Sequence, residues 1–314
     1  LLKIAASPVI AISEEAASVL ARVGNEEPAG IIGDLVSKHF AVVATATLSL
    51  TKSPTETDVE DRPDAEVSAE TLQKAMSELN SLIGQHIHLQ FTGQIFCQEC
   101  NKKINKSFGE GFCFNCFSTA GSASPCIIRP ELCQAHLGLG RDPEFEQRNH
   151  NQPHVVYLAL TQHVKVGITR KTQVPTRWID QGAQQAIILA ETPNRYLAGV
   201  LEVALKAHYS DKTNWQLMLR NVQATDQPDL SAEKWELEEL LPQDLTQYWT
   251  DDEEIWNLNY PVTQYPEKVQ ALSFDKTPEI NGVLTGIRGQ YLYLDQINVL
   301  NLRKHTGYEV IWQL

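Results

Sequence analysis

The sequence predicts an α+β protein: a cysteine-rich module, then a small mixed sheet with helices, then a small C-terminal β-module. Three observations predict it. All six cysteines fall between residues 97 and 133, in two CxxC pairs and a looser third cluster. The run from His154 to Trp215 reads strand, strand, helix, helix. The last segment, Val269–Leu314, alternates apolar residues around several glycines.

A chain of 314 residues with 42% hydrophobic content can build two or three cores. No apolar run approaches the roughly 18 residues that span a bilayer. Leu1–Leu20 also lacks the basic-then-apolar order of a secretion signal. The expectation is a cytoplasmic protein with no membrane partner. The formal charge of −13 is uneven. Residues 1–84 hold 6 basic and 13 acidic side chains, residues 85–220 hold 14 and 10, and residues 221–314 hold 6 and 16. A basic middle between acidic flanks points weakly to a polyanion partner; charges that merely solvate surfaces explain it equally well.

Residues 1–69 read as an N-terminal extension and acidic linker. They contain a helix-like stretch near Glu14–Val23, a β-like run Ala41–Leu50, and a solvated linker Thr51–Ala69 rich in Thr, Pro, Asp and Glu. Residues 70–153 hold a short helix to Leu79, a β-rich run Ile83–Phe96 and the cysteines. Residues 154–225 form the strand–strand–helix–helix unit. Residues 226–265 form an acidic, Trp-rich helical connector, and residues 266–314 the C-terminal β-module.

Cys97-x2-Cys100-x12-Cys113-x2-Cys116 is the strongest signal in the chain. Two CxxC knuckles a dozen residues apart place four thiolates around one Zn²⁺, a zinc-ribbon-like arrangement. Gly109 and Gly111 supply the tight return. Four protein ligands leave no open position, so this zinc is structural. Disulfides are the rival reading, disfavoured without a secretion signal. A second cluster, Cys126-x6-Cys133-x2-His136 with His150-x3-His154, offers five candidates for four ligands, Cys126, Cys133 and His150 foremost. Two buried thiols beside unrelated histidines would look the same.

His154–Leu160 and His163–Ile168 read as a β-hairpin. With Thr161–His163 as its loop, Leu160 faces Val164 and Tyr157 faces Gly167. Tyr157, Ala159, Lys165 and Gly167 then share one face; a two-residue loop would put Tyr157 and Lys165 on opposite faces. Pro175–Gly182 reads as a short helix with a proline start and a glycine stop. Arg195–Tyr209 is amphipathic, with Leu197, Val200, Leu201, Ala204, Leu205 and His208 on one stripe and Glu202 off it.

This order of residues resembles the GIY-YIG nuclease domain. Val155-Val156-Tyr157 matches the first tripeptide and Lys165-Val166-Gly167 the second, with lysine where the family name has tyrosine. Arg177 matches the helix arginine, Glu202 the metal-binding glutamate, and Asn214 a downstream polar residue. The wider chain, from Leu82 to Val310, is similar to domain of unknown function 2797. That likeness runs through Gly84–Gly93, the CxxC pairs, Arg129–Cys133, His154–Arg170, Arg177–Ala183, Asp211–Trp215, Gly286–Tyr291 and Asn301–His305. It implies cysteines where this chain has Gly140 and His150. His150 can replace a thiolate and Gly140 cannot, which makes His136 the nearby substitute.

The nuclease resemblance implies a GIY-YIG-like mixed sheet and a Mg²⁺- or Mn²⁺-dependent phosphodiester hydrolase acting on DNA or RNA. Tyr157 would position or deprotonate the water, helped by Lys165. Glu202 would hold the ion and Arg177 would neutralise charge on the phosphoryl group. Lys102, Lys103 and Lys106 would contact phosphates from the first finger loop. Each residue also has a plain reading: Tyr157 as a core aromatic, Lys165 as the solvent face of an edge strand, Arg177 paired with Asp180, Glu202 paired with Lys206, and the three lysines as a solvated loop. Trp178 and Trp215 read as packing residues. The alternatives are a non-catalytic module that binds nucleic acid or ribonucleoprotein, and a scaffold whose 231–256 stretch and C-terminal strands dock a protein partner.

Overall fold

The computed structural model describes residues 2–3, 80–209, 214–222 and 228–313. The elements expected at Glu14–Val23, Ala41–Leu50, Thr51–Ala69 and Ala69–Leu79 lie outside the described residues. The fold is α+β, with two sheets and several helices. The chain divides into two compact units: the first runs to Cys113 and resumes at Asn259, and the second is Phe114–Leu258.

The first unit opens with β1 (Leu2–Lys3), β2 (His86–Phe96) and β3 (Lys103–Ile104). The second unit begins with helix α1 (Phe114–Thr119), a run of short 3-10 turns, and α2 (Pro143–His150). Strands β4 (His154–Leu160) and β5 (Val164–Arg170) follow, then α3 (Thr176–Asp180), β6 (Gln185–Thr192) and α4 (Arg195–Lys206). Helices α5 (Trp215–Leu219) and α6 (Leu230–Glu238) and strand β7 (Trp256–Asn257) complete it. Back in the first unit come β8 (Gln270–Leu272), β9 (Glu279–Arg288), β10 (Tyr291–Leu294), β11 (Asn298–Asn301) and β12 (Tyr308–Gln313).

The first unit is one sheet of order β1-β12-β2-β9-β10-β11-β8, with β3 paired to β2. The C-terminal strands, expected as a module of their own, share that sheet with β2, which lies between β12 and β9. The physical reason is the edge problem: the terminal strands expose unpaired backbone groups, and β2 satisfies them on both sides. Ile87 and Leu89 of β2 join Ile280, Leu284, Leu292, Leu300 and Val310 in a single core. His305 is buried and fixes the last turn: Nδ1 donates to Asn301 O at 2.9 Å, and Nε2 accepts from Phe274 N at 3.2 Å. Arg288 is also fully buried, its guanidinium over the Tyr260 ring at 5.2 Å.

The second unit is a four-stranded antiparallel sheet of order β5-β4-β6-β7. β4 lies between β5 and β6, which is why all seven of its residues are buried. Val156, Leu158 and Leu160 pack one face against Leu201 and Leu205 of α4 and Leu230 and Leu237 of α6. The acidic stretch expected as a connector therefore belongs to this core. Leu245 is buried in the same cluster, Trp249 packs on it, and β7 pairs with β6. Asn194 caps α4 by accepting from Leu197 N at 3.0 Å, and Asp229 caps α6.

His154 opens β4 with no exposure. Its Nδ1 donates to Gln152 O at 2.7 Å, while Nε2 is buried without a partner. Burial lowers its pKa from 6.5 to about 3. The sign follows: below 6.5 the unfolded chain takes up a proton that the folded chain refuses, so stability present above that pH is lost as pH falls toward 3. Lowering pH from about 7 to about 5 should cost the wild type about 2 kcal/mol more than it costs His154→Gln. Denaturant titrations of both proteins at the two pH values check this; equal losses would contradict it.

Candidate functional site

The first cysteine group is built from backbone turns. After β2 the chain reverses through Asn101, at φ 55°, with Asn101 N donating to Cys97 O and Cys97 N to Lys102 O, both at 2.9 Å. A second tight return uses Gly109 and Gly111, at φ 57° and 102°, between the bridged residues Phe108 and Phe112. A Cβ on Gly111 would lie 2.6 Å from Thr306 Cγ2, so a side chain is excluded there by space as well as by φ. Arg303 pairs with Glu110 at 2.6 Å across the same contact.

The sulfur atoms of Cys97, Cys100, Cys113 and Cys116 all lie within 4.8 Å of one another. Cys100 and Cys113 are 3.9 Å apart, close to the roughly 3.8 Å edge of a tetrahedron with Zn–S bonds of about 2.3 Å. Cys113 N donates to Cys97 Sγ at 3.2 Å. Burial opposes ionisation of Cys97, but N–H groups of Cys100, Cys113 and Glu99 outweigh it and lower the pKa to about 7. A sulfur prepared in this way is ready to lose its proton to a metal.

The second group consists of Cys126, Cys133, Glu146 and His150, all buried, their ligand atoms also within 4.8 Å of one another. His136, an expected ligand, is not in the group; its ring stacks on Tyr196 with centroids 4.7 Å apart. Glu146 stands in the group because α2 starts at the Asp142 cap and Pro143, placing Glu146 and His150 one turn apart on one face. His150 Nδ1 lies 3.6 Å from Cys126 Sγ and 3.7 Å from Cys133 Sγ. The hydrogen bond from Cys133 lowers the Cys126 pKa to about 4 against the effect of burial, and the same bond raises that of Cys133.

The β4–β5 pairing is the one the three-residue loop requires: Leu160 opposite Val164, Ala159 opposite Lys165, Tyr157 opposite Gly167. Tyr157, Lys165 and Gly167 therefore share a face. Gly167 leaves room for the phenol: a Cβ there would sit 2.7 Å from Tyr157 Oη. Gln181, which the sequence reading passed over, bridges Tyr157 and Arg177 from the end of α3. With its amide oriented to satisfy both, Nε2 donates to Tyr157 Oη at 3.3 Å and Oε1 accepts from Arg177 Nε at 3.1 Å. Arg177 and Gln181 are four apart on one helical face, the signal that could have found it. Trp178 is fully buried, edge-on to Tyr157 at 5.7 Å, and acts in packing.

Tyr157 has no exposure. Burial raises its pKa, Arg177 pulls it down, and Glu202 pushes it up again. The phenol is thus neutral near pH 7. Glu202 lies on the buried face of α4 with Ala198, Leu201 and Leu205, not off it, and pairs with Lys206 at 3.3 Å. Asn214 caps α5, accepting from Gln216 N and Leu217 N. Lys102, Lys103 and Lys106 are exposed, Lys106 Nζ standing 5.4 Å from the Phe108 ring centre.

The geometry defines an α+β protein with two cysteine-rich groups that could each hold zinc. The chain belongs to the family described as protein of unknown function (DUF2797), whose model matches residues 84–310. Neither the curated proteins nor the solved structures contain a match. Among the described residues no helix is long and apolar enough to cross a membrane.

Gly167→Ala should destabilise the chain by about 1–3 kcal/mol, because the added methyl must displace the Tyr157 ring. Equilibrium unfolding of the two proteins checks this; unchanged stability would mean that the Tyr157 pocket is looser than the packing indicates.

Proposed function

We propose that this chain is a zinc protein that acts on nucleic acid, with a metal-dependent phosphodiesterase site on the second unit's sheet. The observation that carries the reading is the Tyr157–Gln181–Arg177 cluster, on a face shared with Lys165 and within electrostatic reach of Glu202. Arg177 and Lys165 would draw in a phosphodiester, and Arg177 would offset charge developing on its oxygens. Tyr157, as a neutral phenol, would orient a water or a phosphate oxygen by hydrogen bonding. Glu202 offers a single carboxylate, and the rest of a Mg²⁺ or Mn²⁺ shell would be water, which suits ions that keep several waters. Such an ion supplies Lewis-acid polarisation of the phosphate. The exposed Lys102, Lys103 and Lys106 would add sequence-independent phosphate contacts.

A second reading is a binding module with the same residues and no turnover. The Glu202–Lys206 pair and the high Tyr157 pKa favour it, because both oppose chemistry in the present geometry.

Labelled single- and double-stranded DNA and RNA, incubated with Mg²⁺ or Mn²⁺, decide between the readings. Cleavage by the wild type that falls at least a hundredfold in Glu202→Gln, about 2.7 kcal/mol of lost transition-state stabilisation, is expected. Retention of strands without cleavage by either protein would favour the binding module. Neither cleavage nor salt-dependent retention would overturn both and leave a protein-docking scaffold.

A further inference from the structure

The second cysteine group has a composition and a setting that ask for a cation. Glu146 is 2% exposed, His150 3%, Cys126 4% and Cys133 2%. A carboxylate so far from water needs a charged partner or strong donors. Glu146 Oε1 accepts from Arg141 N at 2.9 Å, but Oε2 stands 3.9 Å from His150 Nδ1, too far for a hydrogen bond. The same Nδ1 lies 3.6 and 3.7 Å from the two sulfurs. One nitrogen is thus nearly equidistant from three ligand atoms, within sulfur hydrogen-bonding range of both thiols. The two N–S distances are close to the roughly 3.5 Å edge of a tetrahedral ion with Zn–S of about 2.3 Å and Zn–N of about 2.0 Å, and the N–O distance is about 0.6 Å longer than its roughly 3.3 Å edge.

We propose that Cys126, Cys133, Glu146 and His150 form a closed, mixed-ligand zinc centre, with Glu146 as fourth ligand admitted by Gly140. A Cβ at position 140 would lie 2.2 Å from Glu146 Oε2, so the carboxylate occupies the space that any side chain there would take. The charges close as well. Two thiolates and a carboxylate bring three negative charges, zinc two positive, and Arg195 the third. Arg195 acts electrostatically on both cysteines, donating from Nε to Cys126 O at 3.0 Å and from Nη2 to Ile127 O at 2.9 Å. It is the first residue of α4, so the centre is tied to that helix. The tie is reinforced three residues before Glu202, where a Cβ on Gly199 would lie 2.4 Å from Glu131 N. The turn between the two cysteines therefore rests directly on the α4 backbone.

The test is zinc per chain by elemental mass spectrometry, with site-resolved alkylation of cysteines, on the full purified chain. The wild type should hold two zinc ions and protect all six cysteines until a chelator is added. Glu146→Ala and Gly140→Val should each hold one, with Cys126 and Cys133 alkylated and Cys97, Cys100, Cys113 and Cys116 still protected. Glu146→Cys should keep two, because a thiolate replaces the carboxylate, and His136→Ala should also keep two. Cys126 and Cys133 alkylated in the untreated wild type would overturn the proposal, whatever the variants do. So would Glu146→Ala holding two ions, or His136→Ala losing one with Cys126 and Cys133 exposed. None of these readouts depends on nuclease activity.

Discussion

A carboxylate buried beside two thiols needs a positive charge or strong donors, and the segment that carries it here has little apolar packing of its own. Between Phe114 and His150 the regular elements are a six-residue helix, single 3-10 turns and an eight-residue helix. The apolar cluster at the ligands is only Cys126, Cys133 and Ala135, with Tyr196 against it. Side chains such as Ile128 and Leu137 face solvent instead of a core. A segment that buries so little apolar surface cannot offset its own ordering entropy. A metal held by the proposed centre would supply what packing does not, and α4 lies directly against the turn between the two cysteines.

Helix α4 connects the second cysteine group to the sheet. α4 presents Ala198, Leu201 and Leu205 to the core and brings Glu202 to the same buried side. On the sheet, the β4–β5 register decides which residues share the face of Tyr157, the one opposite to the apolar face that α4 covers. Side chains alternate faces, so a one-residue slip would exchange Tyr157 and Lys165 for Val156 and Val166. The three-residue turn prevents it, and Gly167 opposite Tyr157 rewards the observed register with space for the ring. Arg177 and Gln181 then meet Tyr157 from α3.

Much of this was legible in the residues because it depends on local spacing. The CxxC pairs, the glycine return and the hairpin register follow from turn geometry, which is short in range. Glu202 shows the limit: an apolar stripe counted at helical period omits a carboxylate, although the tertiary contacts place that carboxylate inside. Glu146 was missed for a related reason. Cysteine and histidine spacing does not point to a carboxylate, and Glu146 meets His150 only because the helix starts at Asp142-Pro143 and puts both on one face. The partnership of β2 with β9 and β12 could not be read locally at all. Its partners lie 189 to 225 residues apart in sequence, and alternation alone does not say which edges meet.

The dependence of α4 on the metal is tested most directly by amide hydrogen exchange of the zinc-loaded chain before and after a chelator strips the metal. We expect faster exchange through residues 114–150 and through Arg195–Lys206, with Tyr291–Leu294 in the other unit exchanging as before. Unchanged protection through Arg195–Lys206 after complete metal loss would contradict the claim that the metal-bound segment holds that helix in place.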